Sequence, residues 1–135
     1  MQSIPHTLAG IVSLVICSEY PVLGAFVATG FHALLDKVNE QGFKMKDQVI
    51  FDIIPTIICF LVSIYTKDFW IFFKGWAFGN LFDIYDKKGY LTILFPDKFK
   101  STERFHWGKP FIHPHVNVTR LIGIVSMILI LIILL

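Results

Sequence analysis

The sequence predicts an all-α fold, in which residues 1–135 form a single domain and an integral membrane bundle of about five helices. Hydrophobic residues make up 55% of the chain and charged residues only 16%, and the mean hydropathy is +0.66. The apolar residues gather in five runs separated by polar connections. The last run, Val116 to Leu135, is almost entirely aliphatic and has the length that crosses a bilayer.

The first two runs are short. Run one, from about Pro5 to Ser18, opens with proline, which is favoured at helix starts. A signal peptide is the alternative, but the first five residues lack the Lys or Arg that such a peptide needs. Run two extends from Pro21 to about Val38. The two runs either cross the membrane or form a re-entrant hairpin. Small residues in run two favour close packing against a neighbouring helix: Gly24, Ala25, Ala28, Thr29 and Gly30.

Run three extends from Gln48 to Tyr65, and Pro55 within it predicts a kink. Run four, from about Asp68 to Asp86, is rich in aromatic residues. A long polar and aromatic stretch, Lys87 to His115, then leads into the last run.

Composition also excludes some functions. The formal charge of +2 and the lack of a basic stripe argue against nucleic-acid binding. Cys17 and Cys59 lie within apolar runs, where free cysteine behaves as a small buried hydrophobic residue. We therefore expect neither a disulfide nor a metal ligand from them.

Basic residues in the connections predict the topology, because they favour the cytoplasmic side. The first and third connections hold only Lys67, whereas the second and fourth hold nine basic residues: Lys37, Lys44, Lys46, Lys87, Lys88, Lys98, Lys100, Arg104 and Lys109. If all five runs cross, the protein is a multi-pass protein of the cell membrane with a cytoplasmic N-terminus.

On this topology the ionisable side chains converge at the cytoplasmic end. His32 and Asp36 are four residues apart and share a helix face, as do Asp83 and Asp86 at three residues apart. Seven side chains of metal-ligand type lie at that end of their runs or in the loop before run five: His6, His32, Asp36, Asp52, Asp83, Asp86 and His106. Imidazole and carboxylate together suit zinc above all, with manganese or iron as alternatives.

Each of these residues also has a simpler interpretation. His6 can be an interfacial residue, and His32 with Asp36 can be a hydrogen-bonded pair inside the membrane. Asp83 and Asp86 can lie on a solvated helix end. His113 and His115 rank below His106, because they fit a loop that faces the lipid headgroups.

The motifs resemble those of the small prokaryotic membrane-bound metal-dependent hydrolase-like proteins. Three runs are similar to the opening of that family: His6 to Gly10, Tyr20 to Phe26 and Gly30 to Asp36. Asp52, Gly79 to Asp86 and Arg104 to His106 are similar to later elements, so the resemblance covers most of the chain. Where the family commonly has Ile-Pro-His after the aspartate, this chain has Val38, Asn39 and Glu40. The resemblance therefore implies metal binding more firmly than catalysis.

The sequence thus predicts a metal-dependent hydrolase that acts on a phosphoester or similar bond at the membrane interface, with membrane lipid as surroundings and a lipid or other phosphoester as substrate. The expected ligands are His6, His32, Asp36, Asp83 and His106. Asp52 or Asp86 would be the general base or a further ligand. The alternative is a non-catalytic membrane protein whose cluster is structural and whose bundle serves a partner within the membrane. A transporter is less consistent with a cluster at one end of the bundle, because transport sites usually lie near the bilayer midplane.

Overall fold

A computed structural model describes residues 3–37, 44–81, 112 and 114–135. Within this part of the chain, 84% of residues are helical and there is no strand. The five helices are α1 (Ser3–Ile16), α2 (Pro21–Leu35), α3 (Met45–Tyr65), α4 (Phe69–Gly79) and α5 (Val116–Leu134). The predicted all-α class is confirmed, and each predicted run contributes one helix.

The α1–α2 hairpin closes through small residues. Pro21 occupies the first turn of α2, where a missing N–H costs nothing. Gly24 lies against α1, and a Cβ there would meet the Ser13 carbonyl oxygen at 3.2 Å. Ala28 is also fully buried. Gly30 differs from the prediction, because it is exposed and a Cβ there would meet nothing within 4 Å. The packing face is therefore narrower than the run of small residues implies.

Helix α3 contains a π-helical turn, Val49–Ile53, between two α-helical stretches. The turn lies immediately before Pro55, which has no N–H to donate to the carbonyl of Phe51 four residues earlier. The enlarged turn therefore lies on the N-terminal side of Pro55, and the kink predicted at this proline stays a prediction. The helix also begins at Met45, three residues before the predicted start.

Helices α1 and α4 make the closest contact in the bundle. A Cβ at Gly75 would overlap the side chain of Ile11, and one at Gly79 would overlap the carbonyl group of His6. Gly10 of α1 in turn faces the backbone of Gly75. Glycines four apart on α4 therefore let the two backbones touch, as small residues do between helices in lipid. Helix α4 ends at Gly79, and residues 82–86 of the predicted run lie outside the described residues.

Helix α5 packs through one side, which consists of Thr119, Gly123, Ser126, Ile130 and Leu134. A core of side chains from α1, α3, α4 and α5 lies beneath it: Ile4, Ile11, Cys59, Phe72, Ile130 and Leu134.

An ion pair joins the starts of α3 and α5. Arg120 Nη2 lies 2.7 Å from Asp47 Oδ1, and Arg120 Nε donates to the same oxygen at 2.9 Å. The two helices therefore begin at the same end of the bundle.

Among the described residues, α3 and α5 alone are long and apolar enough to cross a membrane. In each, 22% of the most apolar 18-residue window is buried, unlike the core helix of a soluble protein. Helices α1 and α2 are apolar but shorter, with 14 and 15 residues.

Candidate metal centre

The candidate site lies where α1, α2 and the end of α4 meet. His6 is on the second turn of α1, His32 is on the last turn of α2, and Asp36 caps the C-terminus of α2. His6 and His32 are 4% and 1% exposed, and the Asp36 side chain is 7% exposed. Three ionisable groups are thus held in the interior of the bundle.

Their ligand atoms converge on one point. His32 Nε2 lies 3.2 Å from Asp36 Oδ2, and His6 Nε2 lies 3.7 Å from Asp36 Oδ1. The two imidazole rings are 4.3 Å apart between centroids. One ligand atom from each of the three residues falls within 4.8 Å of the other two. These separations resemble those between ligands of a single ion.

The tautomer of His32 is fixed by α4. His32 Nδ1 lies 2.7 Å from the Gly79 carbonyl oxygen, and a carbonyl can only accept, so Nδ1 carries the proton. In the neutral ring Nε2 then presents its lone pair to the Asp36 carboxylate, which also carries lone pairs. Such an arrangement is stabilised when a proton or a metal ion is shared between the imidazole and the carboxyl group. A ligating histidine commonly donates its other N–H to a backbone carbonyl.

A network of buried hydrogen bonds connects α1 to the end of α4 beside the site. Asn80 is fully buried, and its Nδ2 donates to Thr7 Oγ1 at 3.1 Å and to the Trp76 carbonyl at 3.0 Å. Thr7 Oγ1 donates in turn to the Ser3 carbonyl at 2.8 Å. The residues that follow His6 and Gly79 are thus tied to each other, which fixes the position of the Gly79 carbonyl relative to α1.

Asp52 has a different setting. Its Oδ1 accepts a hydrogen bond from the Ile4 backbone N–H at 2.7 Å, and the residue is 2% exposed. The carboxylate therefore caps the first turn of α1, where a negative charge is favourable. The π-helical turn of α3 carries this side chain towards α1. Asp52 does not belong to the group of converging ligand atoms among the described residues.

The group of His6, His32 and Asp36 does not lie level with the start of α3 but further along the bundle. Helix α1 begins beside Asp52 and Thr56, because Ile4 bonds to the first and the Ser3 hydroxyl lies 3.4 Å from the second. These positions are about 10 to 16 Å along α3 from Met45 at the usual rise of 1.5 Å per residue. His6 is one turn further along α1. The cluster therefore lies inside the bundle and not level with the start of α3.

The other predicted site residues are placed as follows. Asp83, Asp86 and His106 lie outside the described residues, as do Glu40 and His113. His115 is exposed and caps α5, and its Nδ1 accepts from the Asn117 N–H at 3.3 Å. The structure thus brings together three of the five predicted metal ligands, and the other two remain predictions.

Three structural features of the site went unpredicted. Gly75 and Gly79 are four residues apart in an apolar run, which is the spacing of a small-residue helix-packing motif. The close contact of α4 with another helix could therefore have been predicted from the sequence. The sequence indicates the buried role of Asn80 more weakly, because the residue is only an amide at the end of an apolar run. The acceptor role of the Gly79 carbonyl had no signal, because it depends on tertiary packing.

Comparison with known proteins gives no assignment. No family model, no curated protein and no solved structure matches this chain.

Proposed function

We propose that this chain is an integral membrane protein that binds one divalent metal ion through His6, His32 and Asp36 and hydrolyses a phosphoester or similar bond. The site would lie towards the cytoplasmic side of the cell membrane, and zinc is the best match to two imidazoles and a carboxylate. Asp83 and His106 would complete the ligand set, as the sequence predicts.

One observation carries the proposal. The His32 Nδ1–H donates to the Gly79 carbonyl and leaves Nε2 directed at Asp36, beside His6 Nε2. Burial makes the arrangement costly unless a cation offsets the carboxylate. Because α2 and α4 fix the ring before any ion arrives, little ordering is needed on binding.

A metal in this position would lower the pKa of a bound water towards neutrality and so supply hydroxide for attack on a phosphorus centre. Where Asp83 and His106 do not bind the ion, His6, His32 and Asp36 would leave a fourth tetrahedral position for that water, as in catalytic zinc sites. The roles of the protein residues are to hold the ion and, for Asp52 or Asp86, to accept the proton.

The second candidate function is a structural cluster without catalysis. The same distances fit an imidazolium shared with Asp36, because both Nε2 atoms lie within 4 Å of that carboxylate. Such a cluster would bind the end of α2 to α1. The bundle would then serve a partner within the membrane, through a surface other than Gly24, which packs against α1, and Ala28, which is fully buried.

Metal analysis of the detergent-purified protein tests the proposal. We expect about one zinc, manganese or iron per chain by mass spectrometry in the wild type, and loss of most of it in His32→Ala. His115→Asn is the matched control, because it removes an exposed histidine and retains a capping side chain. It should keep the metal.

Hydrolysis of bis-p-nitrophenyl phosphate by the loaded protein then tests the catalytic step. Metal-dependent turnover lost in His32→Ala supports the hydrolase. Wild-type protein free of metal at every purification would contradict it and favour the structural cluster.

A further inference from the structure

A groove of about 490 Å³ lies between α2 and α4 and contains a single charged side chain, Lys74. Its apolar walls include Val22 and Phe26 from α2, with Phe78 and Leu81 from α4 and the residues after it. Val22 and Phe26 are 70% and 72% exposed, so the groove is open along α2. The charge of the lysine, and not the apolar lining, indicates what occupies the groove.

Lys74 places this positive charge in apolar surroundings without a negative partner. It lies five residues after Phe69, the first residue of α4, and its side chain is exposed. Among the described residues it forms no ion pair, and no acidic side chain lines the groove. A charge within an apolar helix is costly unless it reaches water, a headgroup or a counter-ion. The occupant that complements Lys74 therefore carries a negative charge.

Helices α2 and α4 begin at the same end of the bundle. Gly10 faces Gly75 and His6 faces Gly79, so α1 and α4 run antiparallel. Helix α2 reverses direction after α1, because its last turn brings His32 back to His6 and to the Gly79 carbonyl. The candidate metal centre thus lies where α2 and α4 end, and the opposite end of the groove lies where they begin.

The positive charge belongs to the end where the two helices begin. Side chains on a helix lean towards its N-terminus, so the Lys74 ammonium lies nearer the start of α4 than its Cα does. No side chain caps the first turn of α2 at Pro21, which lines the groove and adds a partial positive charge. Exposed aromatic residues of the kind found at the headgroup layer share this end: Tyr20, Tyr65 and Trp70. A lipid headgroup is therefore within reach of the lysine.

We propose that this groove binds one anionic phospholipid, with its phosphate at Lys74 and an acyl chain extended between α2 and α4 towards Phe78 and Leu81. Such a lipid supplies both features that the groove requires, an anion at the headgroup layer and hydrocarbon beyond it. From Val22 to Thr29 the groove follows α2 for about 10 Å. The phosphate lies at the end away from the metal centre, so this lipid is not the substrate of that centre. The inference goes beyond the proposed function and shares with it only the placement in a membrane.

Photocrosslinking in vesicles tests this site. The full chain is reconstituted in equal parts of phosphatidylglycerol and phosphatidylcholine, and each lipid in turn carries a diazirine midway along one acyl chain. Adducts on Ile128 and Leu129, which are exposed on α5, report bulk lipid and normalise the yields. We expect phosphatidylglycerol adducts on Phe26, Phe78 or Leu81 to exceed phosphatidylcholine adducts about fivefold, as one basic residue near the lipid surface predicts.

Variants of the lysine test its role. Lys74→Gln should abolish the preference for phosphatidylglycerol, and Lys74→Arg should keep it, because arginine retains the charge. Lys67→Gln is the matched control, because Lys67 is exposed at the same end of the bundle and does not line the groove. It should leave the preference unchanged. Equal adducts of the two lipids in the wild type would overturn the proposal, whether or not the variants fold, and so would a preference that survives Lys74→Gln.

Metal content and crosslinking between copies separate this site from the other possibilities. Lys74→Gln should retain the metal, and His32→Ala should lose it while the lipid preference stays. If the wild type holds no metal but prefers phosphatidylglycerol in the groove, the lipid site stands and the hydrolase fails. A carbodiimide crosslink from Lys74 to the exposed Glu19 of a second copy, without groove adducts of either lipid, would overturn the lipid site and identify the second copy as the occupant.

Discussion

At the residue scale, the site depends on which atoms donate and which accept. His32 donates through Nδ1 to Gly79 and faces Asp36 through Nε2. Asp52, of the same residue type as Asp36, caps α1 through Ile4 instead. The sequence predicts Asp36 as a metal ligand and Asp52 as a general base or a further ligand. The structure gives them different partners, and only Asp36 shares its position with imidazole.

The hydrogen bond between Thr7 and Asn80 yields a prediction at this scale. A double-mutant cycle of Thr7→Val and Asn80→Ala should give a coupling of about 0.6 kcal/mol, as for hydrogen bonds between membrane helices. The bond is buried, with Nδ2 and Oγ1 3.1 Å apart. Unfolding of the purified protein in mixed micelles with increasing dodecyl sulfate measures it. Additive single effects would show that the bond contributes nothing to stability.

Protons and metal ions compete for the imidazoles, which gives a second residue-scale prediction. Histidine binds metal only when its ligating nitrogen is unprotonated, so dialysis at pH 5 should remove more metal than dialysis at pH 8. The loss should reverse when metal is restored at pH 8. Metal content that is identical at both pH values would indicate ligands other than histidine.

At the element scale, glycines set the distance between α1 and α4. Gly75 and Gly79 allow the two backbones to touch, and this contact places the Gly79 carbonyl beside His32. The helix ends contribute as well, because Asp36 reaches the cluster from the cap of α2 rather than from its interior. The close packing of α4 and the position where α2 ends therefore both shape the site.

Two glycine substitutions should have opposite effects. Gly79→Ala places a methyl group on the His6 carbonyl and should lower the free energy of unfolding by about 1 to 3 kcal/mol, as overpacking does. It should also weaken metal retention, because the acceptor for His32 must shift. Gly30→Ala has open space around it and should raise stability by about 0.5 to 1 kcal/mol. Thermal unfolding in detergent compares the two, and equal effects would refute the packing argument.

At the scale of the whole molecule, much of the fold follows from hydropathy alone. The five apolar runs give the five helices, because each must bury or present one continuous apolar surface. The meeting of His6 with His32 and Asp36 follows from alternating helix direction, which charge asymmetry predicts. The end of α4 at Gly79, the cap at Asp52 and the depth of the cluster depend on contacts between distant residues. No local pattern encodes those contacts.

Helix lengths raise the question of which elements cross the membrane. Helices α1 and α2 have 14 and 15 residues, about 21 and 22 Å at 1.5 Å per residue, less than a bilayer core of about 30 Å. Yet α1 begins beside Asp52 and Thr56 of α3. Counting the length of α1 along both helices from this contact places their C-terminal ends at the same height in the bundle. The end of α1 is thus level with the turn from α3 to α4. The α1–α2 hairpin therefore reaches the end of the bundle that holds the α3–α4 turn, although α1 is short, because α1 starts partway along α3 and not level with Met45.

Cysteine labelling follows from that register and decides between a spanning and a re-entrant hairpin. Cys17 lies in the turn after α1 and is partly exposed, whereas Cys59 is fully buried. An impermeant maleimide should therefore label Cys17 from outside intact cells, and Cys59 only after denaturation. Lys46→Cys, an exposed position at the start of α3, should be labelled only in inside-out vesicles. If Cys17 is labelled from neither side, its turn ends within the membrane and the hairpin is re-entrant; if both positions are labelled from the same side, the predicted topology is wrong.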